Sequence, residues 1–237
     1  MRGLRLLFVV AAAAMLPLIG ADAAPKKRAG KPAAVVRDWT RLVVATPEGG
    51  FRMGNPNAKV KLVEYGSLTC PHCRHFATTS AAPLAASVRS GKVSYEFRNM
   101  VLNGIDMAAT LVARCGGTRS FFPTVSDLYG TQPVWVGRAG RMTDAEKQEL
   151  NGLSDAQRLA RIARIAGIVQ IGARHGIAPA AASRCLSDPS ALNRLGKMYE
   201  AAMARGVDST PTFFINGEIA RVDDWAAIEP LLKKAGG

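Results

Sequence analysis

Cysteine is scarce in this chain, with 4 in 237 residues, and that excludes a small scaffold stapled by many disulfides. Aromatic residues are only 6% and do not interleave with the basic ones, which argues against a nucleic-acid surface. Acids are also short: 18 Asp and Glu stand against 31 Lys and Arg, a net charge of +13. No internal repeat and no low-complexity core segment occurs. What remains, 48% hydrophobic and 21% charged, is the balance of a folded protein, with enough chain for one or two domains.

The first 23 residues read as a signal peptide. Arg2 and Arg5 precede 16 uncharged residues, Leu6 to Ala21, and Ala21-Asp22-Ala23 offers small residues to a peptidase. As an uncleaved anchor the run would reach only ~24 Å, short of a ~30 Å hydrocarbon core, and Pro17 interrupts it. Cleavage after Ala23 leaves 29 basic and 17 acidic side chains, since Arg2, Arg5 and Asp22 depart, and directs the rest to an oxidising compartment. Residues 24–41 read as a basic flexible linker. Lys26, Lys27, Arg28, Lys31 and Arg37 lie in its Ala/Pro-rich stretch with no acid before Asp38.

Beyond the linker, Val43-Val44 begins a short strand, and glycines and prolines from Pro47 to Pro56 mark turns around a hairpin. Val60 to Tyr65 is a strand, residues 70–90 a helix containing Pro83, and Val93 to Arg98 a second alternating strand. From Met100 to Gly206 the pattern is helical throughout, with Arg158, Arg161 and Arg164 on one solvated face. Thr212 to Ile215 returns to strand character, Asn216-Gly217 is a strong hairpin turn, and Asp223 or Asp224 caps a last helix. A βαβ start and a ββα finish bury their apolar faces only by sharing one sheet. The expected organisation is therefore an α/β domain from residues 42–99 and 207–237, a central mixed sheet flanked by helices, interrupted by a helical insertion at 100–206.

The chemistry concentrates at Cys70-Pro71-His72-Cys73, a Cys-x-x-Cys that follows a strand and opens a helix. In a first helical turn two such residues bring their sulfurs within bonding distance. The first sulfur faces unpaired N–H groups and the positive helix end, which favour its thiolate. A protonated or donating His72 would add to that effect. Stabilising the thiolate stabilises the reduced pair and makes the disulfide more oxidising, by ~30 mV for each ~1.4 kcal/mol. A c-type haem needs His directly after the second cysteine, where Arg74 stands. A zinc site would have His75 as a third ligand, with only Cys115, Cys185 and His175 left, all distant in sequence. A purely structural bridge would close too small a loop to gain much. Glu64, six residues before Cys70, is either a surface residue or a carboxylate beneath the pair that takes the proton of Cys73. Pro211 at a strand start cannot donate to a ladder. A cis bond there would leave the Thr210 backbone free to pair with an incoming peptide, though trans is commoner.

The segments Val63–Cys73 and Gly206–Gly217 together resemble the DsbA family of periplasmic thiol:disulfide oxidoreductases, and the resemblance covers most of residues 55–235. It implies a thioredoxin fold with a helical insertion. It implies Cys70 as the exposed nucleophile, Cys73 as the buried resolving thiol, Glu64 as the buried acid and Pro211 as a cis-proline facing the disulfide. His72 would tune the potential. Thr210 departs from the valine of the best-known oxidase and also occurs in isomerases and reductases of the superfamily, which leaves the direction of electron flow open. Cys115 and Cys185 both fall in the insertion; some family members carry a second bridge there, and the alternative is two buried free thiols.

Three functions follow as expectations. The first is an oxidase that introduces disulfides into unfolded exported proteins in the periplasm, a monomer without bound cofactor or metal, reoxidised by a quinone-linked membrane partner of the DsbB type. The second is an isomerase or reductase on the same scaffold. The third is a chaperone or metal-binding module without thiol turnover.

Overall fold

The computed structural model describes residues 37–237. The segment expected to be a signal peptide and most of the expected basic linker, up to residue 36, lie outside the described residues. The linker expected to run to residue 41 ends sooner. Asp38 caps a turn of 3-10 helix at Trp39–Arg41, and the Asp38 carboxylate also approaches Arg89 at 3.6 Å.

Six strands form one mixed sheet. They are β1 (Val43–Ala45), β2 (Phe51–Gly54), β3 (Val60–Gly66), β4 (Val93–Asn99), β5 (Thr212–Ile215) and β6 (Glu218–Ala220), in the order β1-β2-β4-β3-β5-β6. Only β3 and β4 run parallel, joined by helix α1 (Pro71–Arg89), which is the connection a parallel pair requires. The register places Glu64 opposite Phe97 and Phe213, and Tyr65 opposite Arg98 and Thr212. One face therefore carries Leu62, Glu64, Tyr95, Phe97 and Phe213 beneath α1; the other carries Val63, Tyr65, Glu96 and Arg98. Phe76 of α1 packs on Phe213 with ring centres 4.5 Å apart. The hairpin turn forms as its residues demand, with Asn216 and Gly217 at φ of 52° and 94°.

Residues 100–206 hold eight helices: α2 (Gly104–Cys115), α3 (Gly117–Gly130), α4 (Gln132–Gly140), α5 (Asp144–Asn151), α6 (Asp155–Ala166), α7 (Ile168–Arg174), α8 (Pro179–Leu186) and α9 (Pro189–Ala204). Their starts are marked by side chains that satisfy free N–H groups: Thr143 and Ser154 in reciprocal pairs with Glu146 and Gln157, and Asp188 before Pro189. The insertion does not keep a core of its own. Phe121 of α3 stacks on Phe51 of β2 at 4.0 Å, Tyr129 meets Phe97 edge-on, and one apolar cluster runs through sheet and helices. Two arginines of the α6 stripe are engaged at the surface: Arg158 with Asp155 and the Leu150 and Leu153 carbonyls, Arg161 with Glu149. Helix α10 (Trp225–Ala235), capped by Asp224, closes the chain against α1 and β3.

Cys115 and Cys185 are bonded to each other, tying the end of α2 to α8. They are 70 residues apart in sequence, so the bridge contributes about 4 kcal/mol in the chain-entropy model. The free-thiol alternative is thereby set aside, and neither cysteine remains to complete a zinc site.

Candidate functional site

Gly66 ends β3 and begins the turn that delivers Cys70. A Cβ at Gly66 would fall 2.8 Å from Glu64 Oε1 and 2.7 Å from the Phe97 ring, so only glycine fits between them. Ser67, Leu68 and Thr69 follow, and Cys70 becomes the N-cap of α1 with extended backbone. Pro71 takes the first helical position, where no N–H is needed. Cys73 then lies one turn in, with its N–H 3.5 Å from Cys70 Sγ.

The two sulfurs are both free thiols in unlike surroundings. Cys70 keeps 7% of its surface and Cys73 none, so an attacking group reaches only the first. The Cys70 thiol is pulled down to about 5. The largest pull is the Cys73 thiol donating to its sulfur; burial opposes it, and Thr210 and the N–H groups of Cys73 and His72 add to it. As a thiol, Cys70 donates to the Thr210 carbonyl at 3.2 Å; the thiolate has no proton to give, so that contact belongs to the protonated form. Cys73 is driven strongly the other way, first by burial, then by its bond to Cys70 and the nearby Glu64 charge.

Glu64 is fully buried under the pair. The Tyr95 hydroxyl donates to its Oε2, while Oε1 has no partner among the described residues. Burial pushes this carboxyl up to about 8, against the Tyr95 hydrogen bond, and the Cys70 charge raises it further. At neutral pH Glu64 thus holds a proton beside a thiol that also holds one. The surface alternative for Glu64 is excluded.

The Thr210–Pro211 bond is cis and sets the Thr210 carbonyl against Cys70 Sγ. Alongside Pro211 runs a groove of about 380 Å³ lined by Ile219 and Val222 but also by Asp208, Arg221 and Asp223. His72 is the predicted residue that contributes differently. Its side chain is 71% exposed and turns to Asp223, 4.0 Å away, and it is the His72 backbone N–H that favours the Cys70 thiolate.

The sequence reading missed the residues of the insertion that hold the turn. Asp106 of α2, fully buried, accepts from Ser67 Oγ at 2.6 Å and from the Leu68 and Leu102 N–H groups at 3.0 Å. Its carboxyl is pushed up to about 6 by burial, with these donors restraining the rise. Tyr129 of α3 donates to the Ser67 carbonyl, and Gln132 of α4 donates from one nitrogen to the carbonyls of Leu68 and Cys70, at 2.8 and 2.9 Å. Asn103 reaches Thr69. The only signal in the sequence was a lone acid in the apolar run Ile105-Asp106-Met107-Ala108-Ala109; nothing local marks Gln132.

Cys70 is thus nearly buried rather than exposed as expected, yet a sulfur held as an anion at a helix tip, with a protonated and fully buried thiol one turn behind it, is equipped for thiol–disulfide exchange. Known proteins are similar in sequence and fold. The family model described as thioredoxin matches residues 46–234. A solved protein-disulfide isomerase from Novosphingobium aromaticivorans is 33% identical, with 80% of this chain and 98% of that one covered and a TM-score of 0.73. Alpha-DsbA1 from Wolbachia pipientis, at 21% identity over 78% of this chain and 89% of its own, has a TM-score of 0.55 and shares the DsbA-like fold. A putative protein-disulfide oxidoreductase of Rickettsia bellii is 26% identical over 172 residues, 72% of this chain and 58% of that protein. The chain spans little more than half the length of such curated relatives.

Proposed function

The chain belongs to the thioredoxin family, and from that premise we propose that it is a periplasmic protein thiol:disulfide oxidoreductase that introduces disulfides into unfolded exported proteins. The observation that carries this reading is the opposed pull on Cys70 and Cys73 across one helical turn. At pH 7 Cys70 therefore stands mainly as the thiolate.

In the oxidised enzyme a client thiolate attacks Cys70 Sγ, and the electron pair of the broken S–S bond leaves on Cys73. That sulfur takes a proton, for which buried Glu64, held above the ordinary carboxylate range by burial, is the adjacent source. A second client thiolate then attacks the client sulfur of the mixed disulfide and expels Cys70 as the stabilised thiolate. The client loses two electrons and the cysteine pair gains them. A quinone-linked membrane partner of the DsbB type would return the pair to the disulfide. Clients would dock against the Thr210 backbone and the exposed Leu102 and Val134, which flank the turn that Asn103 and Gln132 brace. Export rests on the leader-like residues 1–23.

Equilibration in glutathione buffers tests the direction of flow. A strongly oxidising couple, with Cys70 titrating near 5, supports the oxidase; a weakly oxidising couple sinks it. A second reading, the isomerase, is favoured by Thr210 and by the name of the Novosphingobium relative. Reactivation of scrambled ribonuclease without net thiol oxidation selects it.

A further inference from the structure

On the sheet face away from α1, a cavity of about 560 Å³ opens between the β1–β2 turn, the ends of β3 and β4, and helix α9. Its geometry is fixed by packing. Gly49, at the turn, lies so close to Met198 of α9 that a Cβ would come within 2.6 Å of the sulfur. Phe51, Tyr65 and Met198 supply apolar wall, and Arg98, Arg114, Arg194, Lys197 and Arg205 supply charge, with Glu48 the acid among the lining residues.

The cations are unequally served. Arg98 is neutralised: its Nε lies 2.7 Å from Glu96, its Nη1 donates to the Tyr65 hydroxyl, and Glu48 stands 3.6 Å away. Arg114, Arg194, Lys197 and Arg205 have no carboxylate within 4.0 Å among the described residues. Arg114 is the deepest of them. It spends its donors on the Asn99 side chain and the Gly49 carbonyl and sits over the Phe51 ring at 5.1 Å. Burial and the neighbouring Arg194 charge both pull its guanidinium down, to about 10. Arg205 lies over Phe214 at 4.8 Å. Cations gathered around one cleft, Arg114 half-buried and Arg194, Lys197 and Arg205 exposed at its mouth, repel one another unless an anion joins them, and the forked donors of arginine suit phosphate oxygens.

We propose that this cavity binds a phosphate-bearing anion between Arg114, the α9 cations Arg194 and Lys197, and Arg205 just past the end of α9. The two sources of such a group are a soluble phosphate compound and the headgroup of an anionic lipid, and one set of variants separates them. The probes are inorganic pyrophosphate, followed by titration calorimetry at low ionic strength, and phosphatidylglycerol vesicles, followed by co-sedimentation against phosphatidylcholine vesicles. The variants are Arg194→Gln and Lys197→Gln, both at exposed positions of α9 where folding is not at stake, with Lys147→Gln on α5 as a remote loss of one charge. Saturable one-to-one binding of pyrophosphate that falls about tenfold in each α9 variant, with Lys147→Gln unchanged, supports the site with a soluble ligand. Vesicle binding with the same pattern and no pyrophosphate binding supports it with a lipid headgroup. No binding to either probe, or weakening by Lys147→Gln equal to that of the α9 variants, overturns the proposal.

Discussion

The two cysteine pairs of this protein differ in almost every physical respect. Cys70 and Cys73 are three positions apart at a helix start, and their surroundings drive the two thiols in opposite directions. Cys115 and Cys185 are separated by 70 residues, join two helices of the insertion and meet no comparable set of donors; Cys115 Sγ lies 3.4 Å from the Ala181 carbonyl. A long loop makes a bridge stabilising, whereas an anion held at a helix tip makes one reactive. The difference teaches that cysteine spacing sets what a bridge contributes to the fold, and local electrostatics set what it does.

Four measurements would break or sharpen that contrast. The largest effect is on turnover: Cys70→Ser lowers thiol–disulfide exchange with a cysteine-bearing test peptide by about three orders of magnitude or more, while the double change Cys115→Ala and Cys185→Ala leaves the rate within about twofold. Equal losses in the two would erase the distinction.

Next comes stability. Removing Cys115–Cys185 costs about 2–4 kcal/mol in urea unfolding. Reducing the Cys70–Cys73 bridge acts in the opposite sense and raises the midpoint, because only the reduced form contains the favoured thiolate.

The third is the pH dependence of that second difference. A thiol whose folded value, about 5, lies below its unfolded value near 9 adds stability that is complete above 9 and lost as pH falls through 5. Glu64 works the other way: its folded value of about 8 lies above 4.5, so its stabilisation is complete below 4.5 and lost as pH rises through 8. Glu64 is present in both redox forms, so most of its contribution cancels between them. The reduced-minus-oxidised stability therefore climbs from pH 5 to 9. A flat profile in paired unfolding titrations would refute the assignment of the anion to Cys70.

The smallest is at the turn. Gln132→Leu leaves two buried carbonyls without their donor and lowers stability by about 1–3 kcal/mol. It also moves the Cys70 titration, read by thiolate absorbance, whereas removing the insertion's own bridge does not.

Much of this was legible in the residues. Alternation marked β3 and β4, Asn216-Gly217 marked the final hairpin, and the cysteine motif after a strand marked the site. These signals are local, carried by neighbours along the chain. Strand β2, only four residues with two glycines before it, had too short a period to stand out from its turns. The helices of 100–206 read as helical but not as eight, since their ends depend on capping and packing. The grip of Asp106, Tyr129 and Gln132 on Ser67–Cys70 left no local pattern, because each bond spans 38 to 64 positions. His72 was read through its ring, yet it acts on Cys70 through its main chain.

One nitrogen of Gln132, shared between two carbonyls of the turn, has a consequence for the life of the chain. The turn that carries Cys70 is held by Asp106, Tyr129 and Gln132 from three helices of the insertion, and its sulfur meets Thr210 from the segment before β5, which is made near the end of synthesis. A nascent segment that ends at Cys-Pro-His-Cys lacks all of these holds. The setting of the pair is thus completed late, when the segment before β5 has closed against the first sulfur.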